Sequence, residues 1–352
     1  MNDIAGLLKT FADTHGMSGY EDAVAELLRH ELEPLTDGVT VDTMGNVVGI
    51  RAGQGPAVMV AAHMDEIGAM VSHVDDEGFL RIVPVGGWSD QTILGQRVVI
   101  HTRDGRALPG VIGSRPPHVM DADERKKLIK IKDMFVDCGA TDAAAAGSLG
   151  IEVGCPITID RELSRMGNGF VTGKALDNRA GVVMMIWALR LVRRKKVRAT
   201  IQAVGTVQEE VGLKGARTSA YGLTPDVAIA TDVTIPGDNP GVSRSESPVV
   251  AGKGPSITII DAAGRGVISP RPVISWLRDS AEKASIPYQL QVGNGGNTDA
   301  TAISITKSGI PCGVVSVPTR YIHSPVEVLS LRDLEQGAAL IAAAIESAHR
   351  YF

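Results

Sequence analysis

Apolar residues near the N-terminus recur with helical spacing. Residues 3–15 carry them three and four positions apart, which predicts an amphipathic helix. Ser18 and Glu21 have the spacing of a capping box, and this predicts a second amphipathic helix that continues to about Leu35. Two helices are therefore expected before the first strand.

Runs of apolar and β-branched residues then alternate with further helical patterns. The segments 40–44 and 46–51 predict a hairpin, and the continuous apolar run 57–62 is typical of a strand that is covered on both faces. Later strands are predicted at 199–207, 227–230 and 312–317. Later helices are predicted at 178–195, near 272–284 and from about Ser330. This alternation indicates an α/β protein.

A different pattern interrupts this alternation. From residue 70 to about 159, short alternating strands are separated by turns rich in Gly, Asp and Pro, as at 75–78. The α/β pattern resumes after Gly173. The expected domains are a main domain of residues 1–69 and 168–352 and an inserted β-rich domain of residues 70–167.

The composition is compatible with this division. The chain has 352 residues, which is more than one ordinary core usually holds, so two domains or one domain with an insertion are expected. Its hydrophobic content of 44% and its 40 glycines suit a sheet of small and β-branched residues with many tight turns. The formal charge of −5 offers no basic field for a phosphate backbone, so we expect no nucleic-acid partner.

The cysteines and the start of the chain bear on the compartment. Cys138, Cys155 and Cys312 are far apart and form no Cys-x-x-Cys spacing, which argues against disulfides and thiolate zinc sites. The first four residues lack the pattern of a leader peptide, and no window holds about eighteen consecutive apolar residues. We expect a cytoplasmic protein that has no membrane segment.

Two adjacent acids, Glu209 and Glu210, follow the strand predicted at 199–207. Ligand crevices in open α/β sheets lie beyond the carboxyl ends of strands, so both acids are candidates for metal or proton chemistry. Neighbours on an extended segment point to opposite sides, and we therefore expect the two acids to have different roles. A solvated turn of two glutamates is the structural alternative.

Four more candidates lie at strand ends or beside them. His63, Asp232 and His323 each follow a predicted strand, and Asp177 opens a predicted helix. With the two glutamates they provide two imidazoles and four carboxylates. Nitrogen and oxygen ligands without thiolate suit zinc, cobalt or manganese, and the number of acids indicates two ions that share a carboxylate. Asp65, two residues beyond His63, can fix the tautomer of that histidine.

Each candidate also has a structural interpretation. A lone histidine at a strand end is more often a hydrogen-bonded structural residue, and caps of a helix and a turn would explain Asp177 and Asp232. Their joint occurrence at separate strand ends favours a shared site. The loop 293–299 lacks the spacing of phosphate-binding motifs and is interpreted as a tight loop near that site, while the role of His118 is open.

Together, these residues resemble the motifs of the M42 family of dinuclear-metal aminopeptidases, which includes the tetrahedral TET peptidases. The motifs stand in the order of the family and span nearly the whole chain. They are Ala62-His63-Met-Asp65-Glu-Ile-Gly, Lys174-Ala-Leu-Asp177-Asn-Arg-Ala-Gly, Val207-Gln-Glu209-Glu210-Val-Gly-Leu-Lys-Gly-Ala, Asp232, Gly295-Gly-Asn-Thr-Asp299-Ala and Tyr321-Ile-His323-Ser-Pro. No departure from the family occurs at a metal position.

The resemblance implies two divalent ions per chain, most simply zinc or cobalt, with manganese as a further candidate. The implied ligands are His63, Asp177 and Asp232 for one ion and Asp177, Glu210 and His323 for the other. Asp177 would bridge the ions, which in such pairs lie roughly 3.5–4 Å apart. Glu209 would remain free of metal as the general base and acid, and Asp65 would orient His63.

The resemblance also implies an architecture and partners. The implied fold is an α/β zinc-peptidase domain, whose mixed sheet is flanked by helices, with an inserted PDZ-like β domain that mediates dimerisation. Six such dimers commonly form a hollow dodecamer in this family. The implied substrates are short peptides with a free N-terminus, because contact between a metal and the α-amino group restricts cleavage to the first residue. Acidic, aliphatic and basic first residues all occur as preferences in similar proteins.

Two other functions use the same residues or the same fold. A dinuclear-metal amidohydrolase or deacylase, or a glycan-active relative, would apply these ligands to a non-peptide substrate. A non-catalytic shell protein would keep the fold alone. The presence of Glu209 argues against the shell protein, because an inert relative has no need of an acid beside every ligand.

Overall fold

The computed structural model describes residues 3–293 and 295–352, so Met1, Asn2 and Asn294 lie outside the described residues. Nine α-helices lie in these two ranges: α1 (Ile4–Asp13), α2 (Asp22–Leu32), α3 (Asp90–Ile93), α4 (Ala143–Ser148), α5 (Leu176–Val192), α6 (Lys214–Leu223), α7 (Arg271–Lys283), α8 (Asp299–Ser304) and α9 (Leu331–Ser347). None of these described helices combines the length and the apolar character that crossing a membrane requires.

The described residues form seventeen strands. They are β1 (Gly38–Val41), β2 (Val47–Arg51), β3 (Ala57–His63), β4 (Gly68–Val74), β5 (Leu80–Val85), β6 (Arg97–His101), β7 (Ala107–Gly113), β8 (Phe135–Asp137), β9 (Pro156–Ile159), β10 (Ser164–Arg165), β11 (Phe170–Gly173), β12 (Thr200–Thr206), β13 (Val227–Thr234), β14 (Ser256–Ile260), β15 (Gln289–Val292), β16 (Cys312–Arg320) and β17 (Glu327–Ser330).

A mixed sheet forms the centre of the α/β part. Within the described ranges its eleven strands follow the order β1-β2-β12-β3-β13-β16-β17-β11-β10, and β14 and β15 extend from β16. The central strands β12, β3, β13 and β16 are parallel, with Thr206 beside His63 and Asp232 beside Ser316. These four strands therefore end at the same edge of the sheet. The predicted α/β fold with a mixed sheet is confirmed.

Helices cover both faces of this sheet, which explains why its central strands are continuously apolar. On one face, α1, α2, α5, α7 and α9 build a core that includes the fully buried Phe11 and Trp276. On the other face, α6 and α8 contribute small buried residues such as Ala216 and Ala300. Small side chains allow these short helices to lie close to the strands.

A closed barrel lies between β3 and β11 in the chain. Its strands follow the order β4-β5-β8-β7-β6-β9, and each neighbouring pair is antiparallel. The barrel runs from Gly68 to Ile159 and has its own core, with Leu80, Ile100 and Val136 fully buried. A β-rich insertion is therefore present in the expected region. Its exact domain boundaries, its PDZ-like character and its role in dimerisation stay predictions.

The capping box predicted at Ser18 and Glu21 is wrong. Helix α2 begins at Asp22, and the side chain of Glu21 makes no capping hydrogen bond to it. Instead, the Ser18 hydroxyl donates to Oδ2 of Asp65 at 2.6 Å, and Oε1 of Glu21 accepts from the amide of Gln208 at 3.0 Å. Both side chains are buried, so tertiary contacts that the local pattern does not encode replace the cap.

A buried ion cluster joins the barrel to the α/β part. Glu66, which precedes the first barrel strand, accepts from Nζ of Lys174 at 2.8 Å and 2.9 Å and from the amide of Gly16 at 2.9 Å. Nη2 of Arg179 lies 3.6 Å from the same carboxylate. Glu66 lies where the chain enters the barrel, and Lys174 follows β11, where the chain has returned to the α/β part. The cluster therefore connects these two crossing points. A buried carboxylate is tolerated here because it is paired with two cations.

Two histidines share one hydroxyl at the same junction. Oγ1 of Thr158, on β9, lies 2.7 Å from Nδ1 of His15 and 2.8 Å from Nε2 of His101. Burial and the charge of Lys174 lower the pKa of His15 to about 4, with Glu66 opposing this shift. Burial also lowers the pKa of His101. Both rings are therefore neutral at neutral pH, and each lies within hydrogen-bonding distance of the hydroxyl.

We predict that His15 makes the fold sensitive to mild acid. An unfolded chain protonates this histidine near pH 6.5, whereas the folded chain resists protonation until about pH 4. The stability that depends on neutral His15 is complete above pH 6.5 and is lost as the pH falls towards 4, by up to roughly 3 kcal/mol.

Urea unfolding of the metal-free protein at pH 7 and pH 5 tests this sensitivity. The parent should lose about 2 kcal/mol more than His15→Gln between these pH values. His30→Gln, which changes an exposed histidine on α2, is the matched control and should keep the pH dependence of the parent. Equal losses in the parent and in His15→Gln would contradict the prediction.

Candidate metal centre

Most of the candidate side chains lie where the four parallel strands end. His63 is the last residue of β3, and Asp232 lies within β13, although the sequence predicts it just beyond the strand. Glu209 and Glu210 follow β12, and His323 follows β16. Because parallel strands end on one side, residues that are distant in sequence meet there.

Asp177 reaches the same edge from the start of α5, where it lies between the two histidines. Its Oδ1 is 3.2 Å from Nε2 of His63, and its Oδ2 is 3.4 Å from Nε2 of His323. The two oxygens of one carboxylate thus face different imidazoles. This is the arrangement that a carboxylate shared between two ions requires.

Each of the other acids lies near one of these histidines, and both sets of mutually close ligand atoms contain His63. Oε2 of Glu210 lies 3.1 Å from Nε2 of His323. Oδ1 of Asp232 and Oε2 of Glu209 lie 4.0 Å and 3.8 Å from Nε2 of His63. Potential ligand atoms within 4.8 Å of one another form two sets, His63 with Asp177 and Glu210, and His63 with Glu209 and Asp232. Geometry alone also allows Glu209 to contact an ion, so its role as the general base stays a prediction.

Asp65 is fully buried beneath His63 and the glutamate pair. Nδ1 of His63 lies 3.2 Å from the backbone oxygen of Asp65 and 3.4 Å from its Oδ1. The carboxylate also accepts from the amides of Glu209 at 3.0 Å and Glu210 at 3.2 Å. Asp65 therefore does more than the sequence predicts, because it contacts the His63 ring and holds the backbone of the neighbouring acids.

The glutamate pair lies in a turn, and the expectation of an extended segment is wrong. Gln208 has a φ of 56°, and the carbonyl of Glu209 accepts from the amides of Gly212 and Leu213. Because of this tight turn, both acids lie near the end of the parallel strands. Their side chains nevertheless have different nearest imidazoles, since Glu209 lies beside His63 and Glu210 beside His323.

The sequence interpretation missed Glu327. This buried residue opens β17 and accepts from the amide of Asp177 at 2.8 Å and from the amide of His323 at 2.9 Å. His323 has a φ of 60°, which is uncommon outside glycine, and the second hydrogen bond holds that backbone. The sequence offers one signal for this residue, because Glu327 is an acid just before two apolar residues and four residues after a candidate ligand.

The electrostatics of the cluster favour bound positive charge. Burial raises the pKa values of Glu209 and Asp232 well above their ordinary range, and the charges of nearby carboxylates raise them further. Burial opposes protonation of the histidines, yet the neighbouring carboxylates raise the pKa of His63 and bring that of His323 to about 11. The pKa of Asp177 is lowered despite its burial, because both histidines contact it.

The donor set fits divalent metal ions. Without metal ions, protons on the carboxyl groups and on the histidines supply the positive charge, and divalent ions meet the same demand. Imidazole nitrogens and carboxylate oxygens without thiolate match zinc, cobalt and manganese. The arrangement can therefore hold metal, and the identity and number of the ions stay predictions.

The sequence also singles out the loop 293–299 and His118. Asp299, at the start of α8, is buried and accepts from the hydroxyl of Thr206, so the end of the loop 293–299 does reach the sheet edge. Asn294, within that loop, lies outside the described residues. His118 is exposed in a short 3₁₀ helix after β7, within the region of the barrel.

Comparisons with known proteins agree with this picture. A sequence model of the M42 glutamyl aminopeptidase family matches residues 45–340. The solved structure of an aminopeptidase from Desulfurococcus kamchatkensis is 46% identical, covers 97% of this chain and 94% of its own, and gives a TM-score of 0.93. The TET1 peptidase of Pyrococcus horikoshii, described as able to assemble into a tetrahedron or a large octahedral shell, is 34% identical over 97% and 98% of the two chains, with a TM-score of 0.87.

A curated relative extends the comparison. The lysyl aminopeptidase of Pyrococcus furiosus is 34% identical over 343 residues, which is 97% of this chain and 96% of the relative. The family match includes every candidate ligand of the metal centre. Because that match covers most of the chain and the relatives align along nearly all of it, this protein belongs to the M42 glutamyl aminopeptidase family.

Proposed function

We propose that this protein is a dinuclear-metal aminopeptidase that removes N-terminal residues from short peptides. The observation that carries the proposal is the placement of Asp177, whose two oxygens face His63 and His323 within a cluster of buried acids. Membership of the M42 family supports peptide hydrolysis as the reaction.

The two oxygens of the Asp177 carboxylate suggest which residues would hold each ion. One ion would be held by His63, Asp177 and Asp232, and the other by Asp177, Glu210 and His323. We expect zinc or cobalt, with manganese as a further candidate. When bound, such a pair lowers the pKa of a water molecule and polarises the scissile carbonyl.

The chain's own residues would carry out the proton transfers and the positioning. An Oε atom of Glu209 accepts a proton from the attacking water and returns it to the leaving amine. Oε2 of Glu209 lies 3.8 Å from Nε2 of His63, which supports a position beside the proposed ions and the water that they would activate. Asp65 keeps the His63 ring oriented through the contact at Nδ1.

An assay on unblocked and blocked peptides tests the reaction. The metal-loaded protein should release the first residue of short peptides that have a free amine, and it should leave their N-acetylated counterparts intact. A set with acidic, basic and aliphatic first residues also identifies the preference. Asp177→Ala, which removes the proposed bridge, is the control and should bind neither ion tightly.

Other products in that assay would contradict the proposal. Release of amino acids from N-acyl derivatives alone would indicate a deacylase, and cleavage of glycans alone would indicate a glycan-active enzyme. Binding of peptides without cleavage by the fully metallated protein would indicate a shell or binding protein.

The glutamate pair provides a matched test of roles. Glu209→Gln keeps the size of the side chain but removes the proton acceptor, so kcat should fall about 10²- to 10⁴-fold while both ions remain bound. Glu210→Gln should instead lose metal, and excess zinc or cobalt should partly restore its activity because a weakened site fills by mass action. Metal analysis and steady-state kinetics distinguish the two. The reverse pattern would mean that the roles are exchanged.

We also propose that the barrel mediates self-association into dimers, which assemble further into a dodecamer. Its outer surface carries exposed apolar side chains, among them Val83 on β5 and Val111 on β7, which are 53% and 47% exposed. Burial of these side chains against a second barrel would remove apolar area from water, which favours association. The assembly of the Pyrococcus horikoshii peptidase into a tetrahedron supports the same proposal.

Light scattering tests this surface. The parent should have a native mass far above the 37.0 kDa of one chain. Val83→Lys with Val111→Lys should yield a smaller species that retains its metal, because lysines oppose burial of this surface. A double variant with the native mass of the parent would show that the interface lies elsewhere.

A further inference from the structure

One segment of the barrel reaches the metal centre. Residues Gly86 to Trp88 connect β5 with α3 and belong to the barrel by sequence. At Gly87, the backbone lies against the ring of His323, a residue of the α/β part. The barrel therefore contacts a proposed metal ligand although it supplies no ligand of its own.

The contact leaves no space for a side chain at position 87. A Cβ atom there would lie 2.8 Å from Nδ1 and 3.1 Å from Cε1 of His323. Carbon atoms do not normally approach a ring nitrogen this closely, so one of the two groups would have to move. Gly87 is absent from the glycines with positive φ, and its backbone conformation is therefore open to other residues. The need for glycine arises from His323 alone.

The segment is fixed on both sides of Gly87. Nε1 of Trp88 donates to the carbonyl of Gly68 at 2.7 Å. Gly86 packs closely against Ile67, since a Cβ atom at position 86 would lie 2.5 Å from Cγ2 of that side chain. Ile67 and Gly68 directly follow the loop of His63 and Asp65 in the chain. The segment is thus attached to the part of the backbone that carries the other histidine.

The two histidines differ in what contacts their Nδ1 atoms. Nδ1 of His63 contacts Asp65, as is usual for an imidazole whose Nε2 binds a metal. Nε2 of His323 faces Asp177 and Glu210, and across the residues that the structure describes its Nδ1 makes no side-chain hydrogen bond. Gly87 lies on this Nδ1 side.

We propose that Gly87 is a positioning residue of the metal centre, whose bare backbone sets the orientation of the His323 ring. Close packing replaces the hydrogen bond that orients His63. This inference rests on the proposed role of His323 as a ligand. It assigns to the barrel a contribution to metal affinity that is separate from any role in self-association.

Competition titrations against a chelator test the proposal, with zinc or cobalt as the probe. Gly87→Ala should weaken the binding of one ion about 10- to 100-fold, the usual effect of removing support from a ligand. Gly147→Ala is the matched control, because it makes the same change in α4 of the barrel region, where a Cβ atom meets nothing within 4 Å. It should bind both ions with the affinity of the parent.

The same substitution in a His323→Ala background shows whether Gly87 acts through the histidine. There, Gly87→Ala should have almost no further effect on metal affinity. Unchanged affinity in the parent background, or an equal loss in both backgrounds, overturns the inference. If His323→Ala itself keeps both ions at the parental affinity, the proposed ligand set fails first.

A second variant covers the case in which Gly87→Ala does not fold. Trp88→Phe retains an aromatic ring but removes the hydrogen bond to Gly68, so the segment should lose part of its fixed position. The same ion should then bind more weakly, by a smaller factor than in Gly87→Ala. Parental affinity in Trp88→Phe would overturn the inference.

Discussion

The burial of several carboxylates where four parallel strands end is the constraint on which the rest of this structure depends. An isolated buried charge is strongly unfavourable, and like charges side by side increase that cost. Glu209, Asp232 and Glu327 all have pKa values raised by burial and by neighbouring acids. The edge can be formed only if positive charge accompanies it. Metal ions would supply that charge in a compact form, so binding and folding are linked at this edge.

The backbone around this edge is arranged to hold the acids in place. Asp65 accepts from the amides of both neighbouring glutamates, and Glu327 accepts from those of Asp177 and His323. Asp65 thus holds one ligand-bearing turn at two points, and Glu327 joins two ligand-bearing segments from different elements. A metal site needs its ligands within about 0.5 Å of the right geometry, and two-point attachment of loops provides this accuracy. The barrel adds one more support at Gly87, from a part of the chain that is otherwise remote from the chemistry.

The sequence predicts those features that depend on periodicity and on strand ends. The strands expected at 57–62, 199–207 and 312–317 are present. The position of His63, the glutamate pair and His323 after these strands is sufficient to suggest that they converge. The features that escaped prediction depend on tertiary contacts. Ser18 has the spacing of a helix cap, but it contacts Asp65 because the fold brings that carboxylate within 2.6 Å. A glycine such as Gly87 gives even less signal, since its function is the absence of a side chain.

The chemistry of the metal centre and the choice of substrate must reside in different residues. The proposed ligands and the proposed base would act on the α-amino group and the first peptide bond, which all unblocked peptides share. They cannot distinguish an acidic first residue from a basic one, because neither group contains the side chain. The family is described by glutamyl aminopeptidase activity, yet a relative that aligns over 97% of this chain is named for lysine. Preference must therefore be set by the walls of the site, where loops can change without disturbing the buried acids at the strand ends.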